Sequence, residues 1–227
     1  MSQLSSLLAE IESAKVILPQ ISYSDYIAID LSTSSKLLEN TILESANDLE
    51  NIIYSYVSKK EAKIAFGGYL EERDLYKRSE LFDAEDADSR NIHLGIDIWE
   101  KSGSTIHAAL DGKVHSFKNN EGLGNYGPTI ILEHTIDDVD FYTLYGHLSK
   151  DSISNLEINQ VFKKGDRIGY LGSAEVNGDY APHLHFQIIE NIRDYNGDYP
   201  GVCSKTNADF YRENCPNPDL LLKIIKK

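Results

Sequence analysis

Cysteine is scarce: Cys203 and Cys215 are the only two among 227 residues. A small secreted fold stapled by disulfides would carry more, and the pair is not spaced like a zinc clip. Free thiols in a reducing compartment are therefore expected. Long apolar runs are missing too. Nothing approaches the roughly 20 residues that a membrane-spanning helix needs, so no membrane partner is expected. Positive charge is in the minority, with 22 Lys and Arg against 36 Asp and Glu, a net charge of -14. Such a chain is repelled by phosphate backbones and anionic lipid surfaces, which argues against nucleic-acid binding. Met1 to Ser5 lacks the basic start and apolar run of a secretory signal, so a cytoplasmic location is expected. There is no internal repeat and no low-complexity linker.

What is present is ordinary for a soluble domain, at 41% hydrophobic and 26% charged residues, long enough for one large domain or a domain with an appendage. Leu4, Leu7, Leu8 and Ile11 stripe a helix over residues 3–16, ended by Pro19. Tyr26 to Leu31 alternates as a short strand with Ile27, Ile29 and Leu31 on one face. Ser32 to Ser35 supplies N-cap candidates for a long helix to about Val57, striped by Leu38, Ile42, Leu49, Ile52, Ile53 and Tyr56. Lys63 to Phe66 reads as a strand broken by Gly67-Gly68. Residues 69–90 are charged and irregular, and the acidic run Asp83 to Asp88 reads as a solvated loop. Placed just before His93, the same loop could wall a groove, which makes Tyr69, Glu71, Glu72, Arg73 and Tyr76 candidates for substrate contact.

The chemistry concentrates in two alternating stretches. In His93-Leu94-Gly95-Ile96-Asp97-Ile98-Trp99, a period of two puts Leu94, Ile96 and Ile98 on one face and His93, Gly95 and Asp97 on the other. Gly95 argues against a helix and leaves room beside a metal. In His183-Leu184-His185-Phe186-Gln187-Ile188, His183, His185 and Gln187 share a face opposite Leu184, Phe186 and Ile188. Three of His93, Asp97, His183 and His185 plus a water would complete a catalytic zinc set with one open position. Between the two stretches the chain reads as short strands and turns. Asp111-Gly112 is a hairpin signal, Gly122 to Pro128 is a glycine-rich turn, and the acidic loop Asp137 to Asp140 separates Thr129–Glu133 from Phe141–Leu148. On the latter strand Phe141, Thr143, Tyr145 and His147 share a face. His107, His115 and His134 have no partner at useful spacing and read as structural. The tail ends in an apolar run, Leu220 to Leu222, that packs on the core.

His93-x-x-x-Asp97, Tyr145-Gly146-His147-Leu148 and His183-x-His185, in this order, resemble the lysostaphin-like zinc metallopeptidases of family M23. Ala108 to Val114, the Gly165 to Gly172 turn and Pro182 agree with that likeness, whose core covers residues 90–190. Gly67-Gly68-Tyr69, Pro200-Gly201-Val202 and Cys215 to Asp219 look more specifically like the M23-type module found beside kinase-like and class III aminotransferase domains. The resemblance implies that His93, Asp97 and His185 bind one zinc ion per chain. It implies that His147 and His183 act on the proton of the zinc water and on the oxyanion or leaving amine, work that suits an imidazole. Tyr69, Glu72, Arg73, Tyr145, Asn177 and Tyr180 are the expected substrate contacts.

The expected fold is mainly β (α+β): an antiparallel M23-type sheet over residues 67–227, whose polar face floors the site, with a small αβ segment, residues 1–66, packed on it. The expected activity is zinc-dependent hydrolysis of a peptide bond in a peptidoglycan fragment or soluble peptide. A non-catalytic binding module on the same fold, or a hydrolase of a non-peptide amide, stays open.

Overall fold

The computed structural model describes residues 2–39, 41, 43–74 and 89–225. Ile42, Tyr76 and the acidic run 83–88 lie outside them. Twelve strands run in chain order among the described residues. They are β1 (Tyr26–Ala28), β2 (Ile64–Gly67), β3 (Ile92–His93), β4 (Ile96–Trp99), β5 (Thr105–His107) and β6 (Gly112–Asn120), followed by β7 (Gly127–Ile136), β8 (Val139–Gly146), β9 (Val161–Phe162), β10 (Arg167–Tyr170), β11 (His183–Ile189) and β12 (Val202–Cys203). The helices are α1 (Gln3–Glu10), α2 (Ala46–Lys59), α3 (Asp151–Ser154), α4 (Ala208–Asn214) and α5 (Asp219–Leu222).

One sheet organises the molecule, in the order β1-β2-β4-β11-β8-β7-β6-β9. Its pairings are antiparallel except for β1 on β2. The fold is thus mainly β, with the N-terminal strands continuing the same sheet; the 66/67 boundary falls inside β2. On one face Ile96, Ile98, Tyr145, Leu184, Phe186 and Ile188 pack with Leu4 and Leu8 of α1 and Leu221 and Leu222 of α5. The opposite face is covered in two separate places. Ile29, Leu31, Leu49, Ile53 and Val57 cover Ala65 and Trp99. Tyr199, Cys203 and Cys215 of the C-terminal region pack on Ile131, Leu144 and Ile189. Between these two apolar mounds the sheet face is polar.

Several local expectations are corrected. α1 ends at Glu10, because Ile11 turns extended and the chain from Ala14 runs along the core to an isolated bridge between Ile17 and Ile106. α2 begins at Ala46, not near Ser35. The capping box is Ser45 with Asp48: the Ser45 hydroxyl accepts from the Asp48 N–H at 3.3 Å and the carboxylate accepts from the Ser45 N–H at 2.8 Å. The earlier serines close turns on Asp30 instead. Asp111-Gly112 is not a hairpin. β5 leaves to pair with β10, the buried Ala108, Ala109 and Leu110 intervene, and β6 pairs with β7 and β9. The tight hairpin is at Asp137-Asp138, both with positive φ, as a two-residue turn between twisted strands requires.

Candidate metal centre and catalytic cleft

The stretch from His93 to Trp99 is two strands, not one. The break at Leu94-Gly95 sends Leu94 into the C-terminal apolar mound, while Ile96 and Ile98 stay in the main core. The room left by Gly95 is filled: a Cβ there would lie 2.7 Å from the His185 ring. β11 then pairs His185 directly with Asp97 on one side and with Gly146 on the other. Strand register, with one bare backbone beside the imidazole, brings residues far apart in sequence to one point.

Three atoms converge there. His93 Nε2 is 2.9 Å from His185 Nδ1, and Asp97 Oδ1 is 3.2 Å from the first and 3.3 Å from the second. The remaining ring nitrogens are committed. His93 Nδ1 donates to the Gly68 carbonyl at 2.9 Å, and His185 Nε2 donates to Gln187 Oε1 at 2.9 Å. Gln187 is itself fixed by donating to the Pro200 carbonyl. Two lone pairs and a carboxylate oxygen therefore face one another in a buried space, and Asp97 Oδ1 accepts no hydrogen bond. That arrangement is repulsive unless a cation sits between them. Tetrahedral zinc ligands at about 2.0–2.1 Å stand roughly 3.3 Å apart, so the donor set and its spacing fit a metal ion.

Electrostatics agree. Burial holds His93 down to about 4, and burial also lowers His183. Burial and the neighbouring His183 and His185 push His147 well below its usual value. Burial alone would raise the Asp97 carboxyl, but His93, His183 and Arg73 outweigh it and keep it well below the usual carboxylate range. Neutral imidazoles and an ionised carboxylate are the forms that bind metal.

His147 and His183 stand beside the cluster, their rings 4.2 Å apart. His147 Nδ1 donates to the Asn177 carbonyl at 2.9 Å and His183 Nδ1 to the Ala181 carbonyl at 2.7 Å, which leaves Nε2 of each as the basic nitrogen. His183 Nε2 lies 3.7 Å from Asp97 Oδ1. A period of two places His147 with Phe141, Thr143 and Tyr145, and the structure corrects this. Tyr145 opposes Phe186 and is fully buried in the main core. His147 has φ of +61°, a left-handed conformation that turns its side chain out of the strand alternation and into the cleft; such outliers cluster at functional sites.

The other expected contacts separate. Tyr180 lines the cleft, its ring 5.2 Å from that of His147. Arg73 lines it as well but is bonded to Asp97. Tyr145 gives its hydroxyl to the core, accepting from the Ala109 N–H. Asn177 is buried and clamps a turn through both side-chain atoms on the Tyr180 backbone. Tyr69 donates to the Cys215 carbonyl, and Glu72 pairs with Lys205 at 2.9 Å away from the cleft. The reading of residues missed Tyr126, whose ring lies over Gly146 and whose hydroxyl is 3.4 Å from His185 Nε2. The only signal was an aromatic residue inside a glycine-rich turn.

A sequence model described as Peptidase family M23 matches residues 91–197. No curated protein matches the chain. Among solved structures, the catalytic domain of the antimicrobial peptidase lysostaphin from Staphylococcus simulans is 27% identical, with 54% of this chain and 80% of that one covered and a TM-score of 0.37. Csd3 of Helicobacter pylori is 30% identical over 55% of this chain and 33% of that one, TM-score 0.34. A zinc containing peptidase from Vibrio cholerae is 23% identical over 48% and 34%, TM-score 0.35. The chain thus spans about a third of the latter two proteins. His93, Asp97, His147, His183 and His185 all fall inside residues 91–197, the segment that is similar to peptidase family M23.

Proposed function

We propose that the chain is a zinc-dependent endopeptidase holding one zinc ion on His93 Nε2, Asp97 Oδ1 and His185 Nδ1. The observation that carries this is the meeting of those three buried atoms at one point, with Asp97 Oδ1 accepting no hydrogen bond. Bound there, zinc supplies a Lewis acid toward a substrate carbonyl and lowers the pKa of a water. Gln187 and the Gly68 carbonyl fix the ligand tautomers. His147 and His183, each anchored through Nδ1, keep Nε2 to accept the nucleophile's proton and pass it to the leaving amine. Tyr126 and Tyr180 border the reacting region, where a phenol can donate to developing negative charge.

The expected substrate is a peptide, laid in a cleft whose wall includes Trp99, Tyr180 and Tyr199. A net charge of -14 weakens attraction to anionic wall polymers. Soluble peptides or released wall fragments in the cytoplasm are therefore proposed over intact sacculi. The test combines elemental analysis of the purified protein with hydrolysis assays on glycine-rich peptides, soluble muropeptides and sacculi. About one zinc per chain with turnover of soluble peptides is expected. A metal-free protein, or one inert toward every peptide when zinc-loaded, would overturn the reading. Preferential lysis of sacculi would overturn the substrate assignment.

A further inference from the structure

Asp97 uses its two carboxylate oxygens differently. Oδ1 faces His93 and His185. Oδ2 accepts from Arg73 Nη1 at 2.5 Å, and both side chains are only 3% exposed. The guanidinium is held in turn: its Nε donates to Glu71 Oε2 at 2.5 Å, and Glu71 Oε1 accepts from the Leu31 N–H at 3.0 Å. Residues 70–73 are laced to β3 by backbone bonds, from Leu70 N–H to the His93 carbonyl, His93 N–H to the Glu71 carbonyl, and Arg73 N–H to the Asn91 carbonyl. Gly68 completes the cradle. A Cβ there would stand 1.9 Å from Arg73 Nη2 and 2.9 Å from His93 Nδ1, so the guanidinium and the imidazole both rest on a bare Cα. The guanidinium also lies 5.8 Å from the centre of the Trp99 ring, which stacks on His183.

Arginine buried between two carboxylates is a fork that fixes geometry as well as charge. Glu71, Arg73 and Asp97 sum to one negative charge, and a divalent cation turns the total to one positive. A carboxylate free to rotate would offer both oxygens to a metal and crowd the position that catalysis needs open. We propose that Arg73 is a positioning residue: it holds Asp97 Oδ2, Glu71 holds Arg73, and a metal at this centre receives Oδ1 alone. This rests on the metallopeptidase reading and assigns the outer shell to residues upstream of the matched segment 91–197. It also replaces the expectation that Arg73 contacts substrate.

The test uses the full chain loaded with cobalt(II), whose visible absorption reports coordination number, together with steady-state kinetics. In Arg73→Gln, the cobalt spectrum should weaken and shift toward higher coordination. kcat should fall roughly tenfold to a hundredfold, the usual cost of losing an outer-shell partner, while KM stays within about twofold. Arg73→Lys, which keeps a charge for Oδ2 but loses the fork to Glu71, should recover part of the spectrum. Glu71→Gln should give a smaller change of the same kind and serves if Arg73→Gln does not fold. A wild-type cobalt spectrum in the variants, with a raised KM, would make Arg73 a substrate contact and overturn the proposal. If the wild-type chain itself takes up no cobalt, the metallopeptidase reading fails first, and the two failures are thereby told apart.

Discussion

Two regions of the molecule bury histidine equally well and put it to opposite use. In the cleft, His93, His147, His183 and His185 are 2–6% exposed. In β7, His134 is 2% exposed. His134 is complete: Nδ1 donates to the Asp111 carbonyl at 2.8 Å, Nε2 lies 2.7 Å from the Thr143 hydroxyl, and the ring stacks on Phe141. Each cleft imidazole has one nitrogen tied to the protein frame and the other directed at the cluster around Asp97 Oδ1 or left basic. Burial does not mark the site. A buried imidazole whose second nitrogen the fold declines to satisfy does, because leaving it so costs stability unless a ligand or a proton uses it.

The comparison breaks most sharply on removal of a ligand. His185→Ala should lose zinc and all peptidase activity, while His134→Gln should keep both; elemental analysis after dialysis checks it. Full zinc occupancy in His185→Ala would sink the ligand assignment. Next comes proton transfer. His147→Ala and His183→Ala should retain zinc yet lose about a hundredfold to ten-thousandfold in turnover, and wild-type rates in either would make that histidine structural.

The third test concerns stability against pH. Burial holds His134 down to about 4, against 6.5 when unfolded. The folded state then binds fewer protons than the unfolded one in that interval. The contribution of His134 is therefore present above pH 6.5 and lost as pH falls toward 4, about 3 kcal/mol in all. Denaturant melts from pH 7 to 4 should show wild type losing more stability than His134→Gln; parallel curves would contradict it. The smallest effect is expected from Gln187→Met, which keeps volume but removes the acceptor that sets the His185 tautomer. Zinc affinity should weaken roughly tenfold to a hundredfold, and unchanged competition with a chelator would show that the tautomer needs no such partner.

The ligand strands were legible because alternation and register are both period-two properties, and Asp97 opposite His185 follows from two strands lying side by side. His147 was legible as a residue but not as a direction. One left-handed backbone angle reverses the face that alternation assigns, and the same arithmetic wrongly drew Tyr145 toward the cleft. Asn177 was noticed for its side chain, yet it is the carbonyl that holds His147. The start of α2 was misplaced because the four hydroxyl residues Ser32 to Ser35 outnumber one serine. Only Ser45 has an acidic residue three positions on, and that reciprocal bond decides the boundary. Arg73 and Glu71 were read as candidate substrate contacts in an irregular stretch and not as partners of Asp97, since pairing across 24 residues without periodicity leaves no pattern to read.

The placement of β2 against β4 has a further consequence. β4 carries Asp97, and its outer hydrogen-bonding edge is filled by Ala65, Phe66 and Gly67. β1 then caps β2, and the sheet ends on strands only three and two residues long. Short ends give a second chain little to pair with. A fragment cut back to residues 91–197 would instead present the ligand strand itself as an open edge, flanked by the uncovered Trp99 ring. The N-terminal strands therefore cover the edge of the strand that carries Asp97.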